Sequence, residues 1–138
     1  MRHLKGGFKL GRTQEHRKAL LRNLAGSLIE KNRICTTLTR AKAVQPIVEK
    51  MVTMGKSGTL ADKRHALSYL YTRKTVQTLF DDVAPRFMDR SGGFTRIIKT
   101  TDFRKGDGAE MAILEFVDYK FQVKDKKAKE KTKEKAKK

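Results

Sequence analysis

The sequence predicts an α+β fold, and three features of its 138 residues support this class. Apolar residues recur at helical spacing in four segments of the first two thirds of the chain. Two runs rich in β-branched and aromatic residues follow a Ser-Gly-Gly sequence at 91–93, and a shorter run lies between the first two helical segments. Helices first and a hairpin last is an order typical of α+β domains.

The first helix is predicted to begin after Thr13, which can act as its N-cap with Glu15 in the first turn. It should end near Asn32, a residue that tolerates the left-handed conformation of a C-cap. Residues 33–38 are rich in β-branched side chains and favour a short strand. The helical apolar residues are Leu20, Leu21, Leu24, Leu28 and Ile29.

The second helix is expected to have Thr39 as its cap and to stop at Gly55. Pro46 leaves two alternatives, because an interior proline removes a backbone donor and clashes with the preceding turn. Either the helix begins late, with Pro46 in its first turn, or it is kinked there. Its apolar stripe consists of Val44, Ile47, Val48, Met51 and Val52.

Two more helices and a hairpin complete the predicted domain. Thr59 precedes Asp62 by three residues, as in a capping box, and starts the third helix. Residues 94–100 and 111–117 should pair as an antiparallel hairpin, and the glycines in 104–108 suit a turn that needs positive φ. The fourth helix has an apolar face formed by Val76, Leu79, Phe80 and Val83, and it is expected to end at Pro85.

The formal charge of +18 is concentrated at the two ends of the chain. Residues 1–22 hold seven Lys and Arg and one acid, and residues 119–138 hold ten and three. We therefore expect a basic arm at 1–12, a single globular domain at 13–118 and a disordered Lys-rich tail at 119–138. So much positive charge destabilises a compact state unless a polyanion neutralises it, which indicates a nucleic acid partner.

Groups that could perform catalysis are sparse. Cys35 is a single thiol, which favours a reducing cytoplasm, and we expect it to be a small buried or strand residue. Asp81 and Asp82 are adjacent on a helix and so do not face one another. The histidines lie in three separate regions, at His3, His16 and His65. The sequence therefore predicts that the chain is not an enzyme and has no catalytic residues.

The sequence shows no signature of a small ligand or a membrane partner. The glycine-rich stretch at 6–12 is superficially similar to a phosphate-binding loop but lacks the Gly-Lys-Ser/Thr ending. We expect no metal, no cofactor and no small-molecule substrate. No apolar run is long enough to cross a bilayer or to form a secretory signal, so we expect no membrane partner.

Two basic sets are predicted to bind RNA, and Arg40 and Lys42 of the second helix are included with them. In the first set Glu15 is the only acid, and a helix N-terminus favours a phosphate nearby. The first set consists of Arg2, His3, Lys5, Lys9, Arg12, His16, Arg17, Lys18 and Arg22. The second set surrounds the hairpin and consists of Arg86, Arg90, Arg96, Lys99, Arg104 and Lys105.

The second basic set has a competing interpretation. Asp89, Asp102 and Asp107 could pair with some of its members and leave them as ordinary surface ion pairs. The aromatic residues interleaved with this set are Phe87, Phe94 and Phe103, which we expect to be mostly core residues rather than stacking platforms.

Two other classes of protein share part of this pattern. A DNA-compacting protein would have the same charge but should prefer duplex DNA to structured RNA in competition. An RNA-modifying enzyme would lose turnover on substitution of Cys35 and the three histidines. The residues favour neither class.

A series of motifs in register resembles the family of the seventeenth protein of the bacterial large ribosomal subunit. They extend over residues 1–118 in order. The motifs are Met1-Arg-His3, Lys9-Leu10, Arg12, His16-Arg17, Arg22-Asn23, Ala25-Gly-Ser-Leu28, Thr36-Thr-Leu38, Ala41-Lys42, Pro85-Arg-Phe87, Arg90, Gly92-Gly-Phe-Thr-Arg-Ile97 and Gly106-Asp107. Departures are Glu110, where the family often has proline, Pro46, and the Lys-rich tail.

The resemblance implies a fold, a location and partners. The fold would be a two-layer α+β domain with about four helices and a small three-stranded mixed sheet. The chain would be a structural constituent that binds and stabilises large-subunit ribosomal RNA near the exit of the nascent-chain tunnel, in the cytoplasmic ribosome. Its neighbours would be other large-subunit proteins, including the thirty-second. The family's RNA contacts would fall on Arg2, His3, Lys9, Arg12, His16, Arg17, Arg22, Arg90 and Arg96.

Overall fold

The computed structural model describes residues 7–119. The predicted contacts at Arg2, His3 and Lys5 and nearly all of the predicted tail lie outside this range. The elements are, in chain order, α1 (Gln14–Lys31), β1 (Arg33–Thr37), α2 (Leu38–Ser57), α3 (Leu60–Tyr69), α4 (Arg73–Thr78), a π-helical turn (Leu79–Val83), a 3₁₀ turn (Ala84–Phe87), β2 (Thr95–Phe103) and β3 (Glu110–Phe116). The α+β class, with four α-helices and three strands between residues 7 and 119, is confirmed.

The sheet has the strand order β1-β3-β2, and both pairings are antiparallel. Arg33 lies opposite Glu115 in one pairing, and Thr95 lies opposite Phe116 in the other. The hairpin prediction is confirmed, but the mixed sheet is wrong. The last strand lies in the middle and runs against both neighbours, so no parallel pair exists among these three strands.

The predicted ends of α1 are confirmed. Asn32 is the C-cap with φ 61°, and its backbone N–H donates to the carbonyl of Leu28 over 2.8 Å. Thr13 is the N-cap, although its side chain makes no capping hydrogen bond. The helix therefore ends on a left-handed residue that directs the chain into β1.

Both predicted ends of α2 are wrong, as is a late start at Pro46. The helix begins at Leu38 after the N-cap Thr37, continues through Pro46, and is capped by Gly58 with φ 67°. An interior proline costs a helix about 3 kcal/mol or more. Burial of the apolar face of α2 offsets that cost, the buried residues being Ala41, Ala43, Val44, Val48, Met51, Val52 and Gly55.

The predicted fourth helix changes its hydrogen-bonding pattern along its length. After α4, the backbone N–H of Ala84 donates to the carbonyl of Leu79, five residues earlier, as in a π-helix. Pro85 then lies within the 3₁₀ turn and does not close a regular helix. A regular α-helix would place the proline ring against the carbonyl of Asp81, and the wider turn before it avoids this contact.

The core lies between the helices and one face of the sheet, and the ring of Phe87 packs there against two other phenylalanine rings. This ring is 5.4 Å from that of Phe94 and 5.7 Å from that of Phe116, between centroids. Phe87 and Phe94 are core residues as predicted, whereas Phe103 is 65% exposed. Cys35 lies on β1 as expected but is exposed, whereas Thr36 and Thr37 are the buried residues of that strand.

Candidate nucleic-acid interface

The first turns of α1 and the end of the arm present an exposed cationic surface. Lys9, Arg12, His16 and Lys18 are all exposed, and Glu15 is the only acid between residues 7 and 22. These predicted site residues lie within ten consecutive positions, at the start of α1 and in the segment before it. We call this surface, formed by residues 9–18, the α1 cationic surface.

Arg17 holds the end of the arm against α1. One of its terminal nitrogens, Nη1, lies 3.5 Å from the carbonyl oxygens of both Lys9 and Arg12. The N–H of Arg12 also donates to the carbonyl of Lys9 over 3.3 Å, and Leu10 and Gly11 adopt positive φ between them. Arg17 is therefore half-buried and positions the surface more than it extends it.

Arg22 lies under two tyrosines. Its guanidinium carbon is 5.2 Å from the ring centre of Tyr69 and 5.6 Å from that of Tyr71, which is within cation–π distance. Its Nε is buried and has no hydrogen-bond partner among residues 7–119. Burial raises the pKa of Tyr69 above its usual value, and the charge of Arg22 partly opposes that shift.

Arg40 and Arg104 lie near the end of the arm, at a shared cavity. They line, with Leu10 and Thr39, a cavity of about 360 Å³ between the start of α2 and the hairpin loop. Lys42 is exposed two residues further along α2. Two residues predicted from separate parts of the sequence are thereby neighbours of the α1 cationic surface.

The hairpin loop is closed by an ion pair between Arg104 and Asp107. Nε of Arg104 donates to the carboxylate of Asp107 over 2.8 Å, and a second nitrogen makes a parallel contact. The hydrogen bond from Arg104 lowers the pKa of Asp107, and the same bond raises that of Arg104. Gly106 and Gly108 have φ of 108° and 62°, which confirms the predicted need for glycine in this turn.

Arg96 is paired with a buried acid. Glu115 is 3% exposed and accepts from Nε of Arg96 over 2.7 Å, while Nε of Arg33 lies 3.3 Å away on its other side. A buried carboxylate requires such partners, because an unpaired charge in this position is strongly unfavourable. Arg96 therefore stabilises the sheet in addition to any contact with RNA.

Arg86 and Arg90 also make contacts within the domain. Arg86 donates to the side chain of Asn32 over 3.0 Å and pairs with Asp82 and Asp118, which joins the end of α1 to the end of β3. Nε of Arg90 donates to the carbonyl of Gly92 over 2.9 Å. Of the acids proposed as partners for the hairpin set, Asp107 is the one found in a pair, and the other acids involved are Asp82, Glu115 and Asp118.

Glu49 joins α2 to the sheet, a role that the sequence did not predict. Its carboxylate accepts from the N–H groups of Phe94 and Thr95 over 3.0 and 2.9 Å, and from the Thr95 hydroxyl over 2.6 Å. These bonds attach the start of β2 to the middle of α2. The only signal in the sequence is an acid within the apolar stripe of the second helix, beside Val48.

Residues 7–119 contain no group of three or more His, Cys, Asp or Glu that could hold a metal ion. None of the helices in this range is long and apolar enough to cross a membrane. The described part of the molecule is distinguished by its charge, which defines its class as a small cationic α+β domain with an exposed basic helix.

Comparison with known proteins identifies the family. A family model described as Ribosomal protein L17 matches residues 20–117. The large ribosomal subunit protein bL17 of Acidobacterium capsulatum is 49% identical over 129 residues, which is 94% of this chain and 80% of that protein. The proteins of the same name from Koribacter versatilis and Thermodesulfovibrio yellowstonii are each 55% identical, over 85% and 86% of this chain and 72% and 89% of theirs.

The chain belongs to the ribosomal protein L17 family. The resemblance read from its motifs is thereby confirmed. It is a structural protein of the large ribosomal subunit and not an enzyme, and its location is the ribosome.

Proposed function

We propose that this chain binds large-subunit ribosomal RNA through the α1 cationic surface and stabilises the local RNA fold near the exit of the nascent-chain tunnel. The observation that carries the proposal is the exposure of four basic side chains around α1 with a single acid among them. Surface charges that only keep a protein soluble are normally interspersed with acids. A cluster of positive charges repels itself, and contact with a polyanion relieves that repulsion.

The other predicted RNA contacts differ in how much they should contribute to binding. Arg2, His3 and Lys5 extend the surface along the arm at 1–12, and the Lys-rich tail at 119–138 approaches phosphates without sequence selection. Arg40 and Lys42 flank the surface on α2. Arg86, Arg90, Arg96 and Arg104 contact RNA only with nitrogens that their partners in the domain leave available, so they are the weaker contributors.

The salt dependence of binding tests the proposal. The full chain is titrated with large-subunit ribosomal RNA over a salt series, beside a Lys9→Gln/Arg12→Gln/Lys18→Gln variant. Each lost phosphate contact should lower the log–log slope by about 0.7 to 0.9. The matched control removes two lysines and one arginine from exposed positions elsewhere, namely Lys31, Lys50 and Arg64. A salt-insensitive affinity, or an equal loss in the control, refutes the proposal. Preference for duplex DNA in competition would favour a DNA-compacting protein instead.

The location near the tunnel exit can be tested with a probe attached to Cys35, which is the single cysteine of the chain and is exposed. A radical-generating probe attached to this thiol in reconstituted large subunits should cleave RNA beside the exit. The radicals should also modify the thirty-second protein if that protein is a neighbour. Cleavage confined to the face that meets the small subunit would contradict the location.

A further inference from the structure

We infer that a small pocket on the side of α1 receives one unpaired nucleobase of RNA. This inference rests on the proposed RNA binding and adds a second kind of contact to it. The pocket has a volume of about 230 Å³ and lies between α1 and the residues that join α3 to α4. That volume is below the range of pockets that hold drug-sized molecules, and it suits a ligand of about one base.

One wall of the pocket offers an aromatic surface. Tyr71 lines the pocket and is 60% exposed, although its ring lies 5.6 Å from the guanidinium of Arg22. The structure thus keeps a tyrosine ring in place beside a cation while much of that ring stays open. A base stacks favourably on such a ring, and an arginine plane beside it adds to the attraction.

The opposite wall is polar and carries an acid. Asn23, Ser27 and Glu30 lie on one face of α1 and line the pocket. The buried Thr75 donates to Oε1 of Glu30 over 2.6 Å, which orients this carboxylate. A carboxylate repels phosphate but accepts hydrogen bonds from the amino groups of bases, so this wall favours a base edge over the RNA backbone.

An unsatisfied donor lies at the same place. Nε of Arg22 is buried and has no hydrogen-bond partner within residues 7–119, and Arg22 itself lines the pocket. A buried donor without an acceptor is costly in a folded protein. Because protein atoms cover this Nε, an acceptor on a base or ribose in the pocket would reach it only after a shift of the Arg22 side chain.

The surroundings of the pocket suit an RNA strand. Lys18 lies one helical turn before Arg22 on α1, so the pocket continues the α1 cationic surface. Arg73 and Lys74 are exposed at the start of α4, next to the pocket residue Thr72. Cations on both sides would hold the phosphates that flank a base inserted between them.

The test compares two short single-stranded RNA oligomers, one complete and one with abasic positions that keep every phosphate. The wild-type full chain should bind the complete oligomer more tightly. Tyr71→Ala should reduce that affinity by about 5- to 150-fold, the range for loss of one base–aromatic stack, and should remove the preference for the complete oligomer. Tyr71→Phe should keep the preference, because the ring stacks and the hydroxyl is not required.

The matched control is Tyr119→Ala. Tyr119 also lies beside an arginine, with the Arg33 guanidinium 5.8 Å from its ring, but it does not line this pocket. This variant should keep the preference for bases. Equal binding of both oligomers by the wild-type chain, or equal losses in the two alanine variants, overturns the inference.

A measurement on the wild-type chain tests the pocket even if the alanine variant does not fold. Ultraviolet cross-linking of the complete oligomer should attach it to the peptide that contains Tyr71, and attachment only elsewhere overturns the inference. The proposed function fails separately. Salt-dependent binding to ribosomal RNA without any base preference would contradict only the base-binding pocket. Base-dependent binding of the oligomer without affinity for ribosomal RNA would contradict only the proposed function.

Discussion

Replacing Gly55 by alanine should destabilise the fold, although alanine is the better helix former. An ideal Cβ at this position would lie 2.7 Å from Cβ of Ala84 in the 3₁₀ turn. Two carbon atoms in contact are normally about 3.5–4.0 Å apart, so the helix and the turn would have to separate by about 1 Å. Neither atom is the end of a flexible side chain, and the strain therefore falls on the backbone of both elements.

The magnitude follows from two opposing contributions. Alanine in place of glycine favours a helix interior by about 0.8–1 kcal/mol. Overpacking of a closely packed contact costs about 1–3 kcal/mol. Gly26 provides the control, because its Cβ would meet only a methyl group of Thr75 at 3.9 Å. Both variants gain the same helix preference, so Gly55→Ala should be less stable than Gly26→Ala by about 1–3 kcal/mol.

Chemical denaturation of the full chain, followed by circular dichroism, measures this difference. A Gly55→Ala/Ala84→Gly double variant should recover part of the loss, because the next atoms near the new methyl group belong to Leu79 at 3.6 and 3.7 Å. Equal stability of Gly55→Ala and Gly26→Ala would refute the packing argument, as would a double variant that shows no coupling.

Three further predictions concern single side chains. Thr59→Ala should lower the free energy of unfolding by about 1 kcal/mol, because the Thr59 hydroxyl caps α3 by accepting from the N–H of Asp62 over 3.1 Å. Thr13→Ala should have little effect, since the Thr13 side chain makes no capping bond. Chemical denaturation of both variants shows whether they differ. Glu49→Ala should cost at least about 1.5 kcal/mol, because three donors lose a charged acceptor, and amide exchange at the start of β2 should accelerate; unchanged exchange would contradict this. Asp107→Asn should leave Arg104 free and strengthen RNA binding. Because the pKa of Asp107 is lowered, its contribution to stability is present above about pH 4 and is lost as the pH falls through the folded pKa, so thermal midpoints of wild type and variant should converge in acid.

The sequence predicted best those features that depend on neighbouring residues. The limits of α1 follow from Thr13 and Asn32, which act on the backbone beside them. The same holds for the start of α3 at Thr59 and for the glycines of the hairpin loop. The basic character of the arm and α1 is a property of composition, and the exposure of Lys9, Arg12, His16 and Lys18 agrees with it.

Prediction failed where a distant partner decides the outcome. Gly55 looked like a helix stop, yet it lies inside α2, where its lack of a side chain leaves room for the close approach of Ala84. For Arg96 the sequence offered only nearby aspartates as possible partners, yet the partner found is Glu115, 19 residues away on the opposing strand. For Arg22 the sequence indicated RNA binding, which stays a prediction, but it gave no sign of the two tyrosines beside it, which come from the end of α3 and the residues after it.

The sequence by itself determined the α+β class, most element positions, the net charge and the family. Local periodicity, the number of charged residues and the order of motifs can all be read from the amino-acid sequence alone. Only the tertiary structure decided which cations are exposed, which are paired, and where a pocket forms beside α1. The physical reason is that pairing and burial depend on distances between residues far apart in the chain. Those distances are set by the packing of α2 against the other helices and the sheet, and no local pattern encodes them.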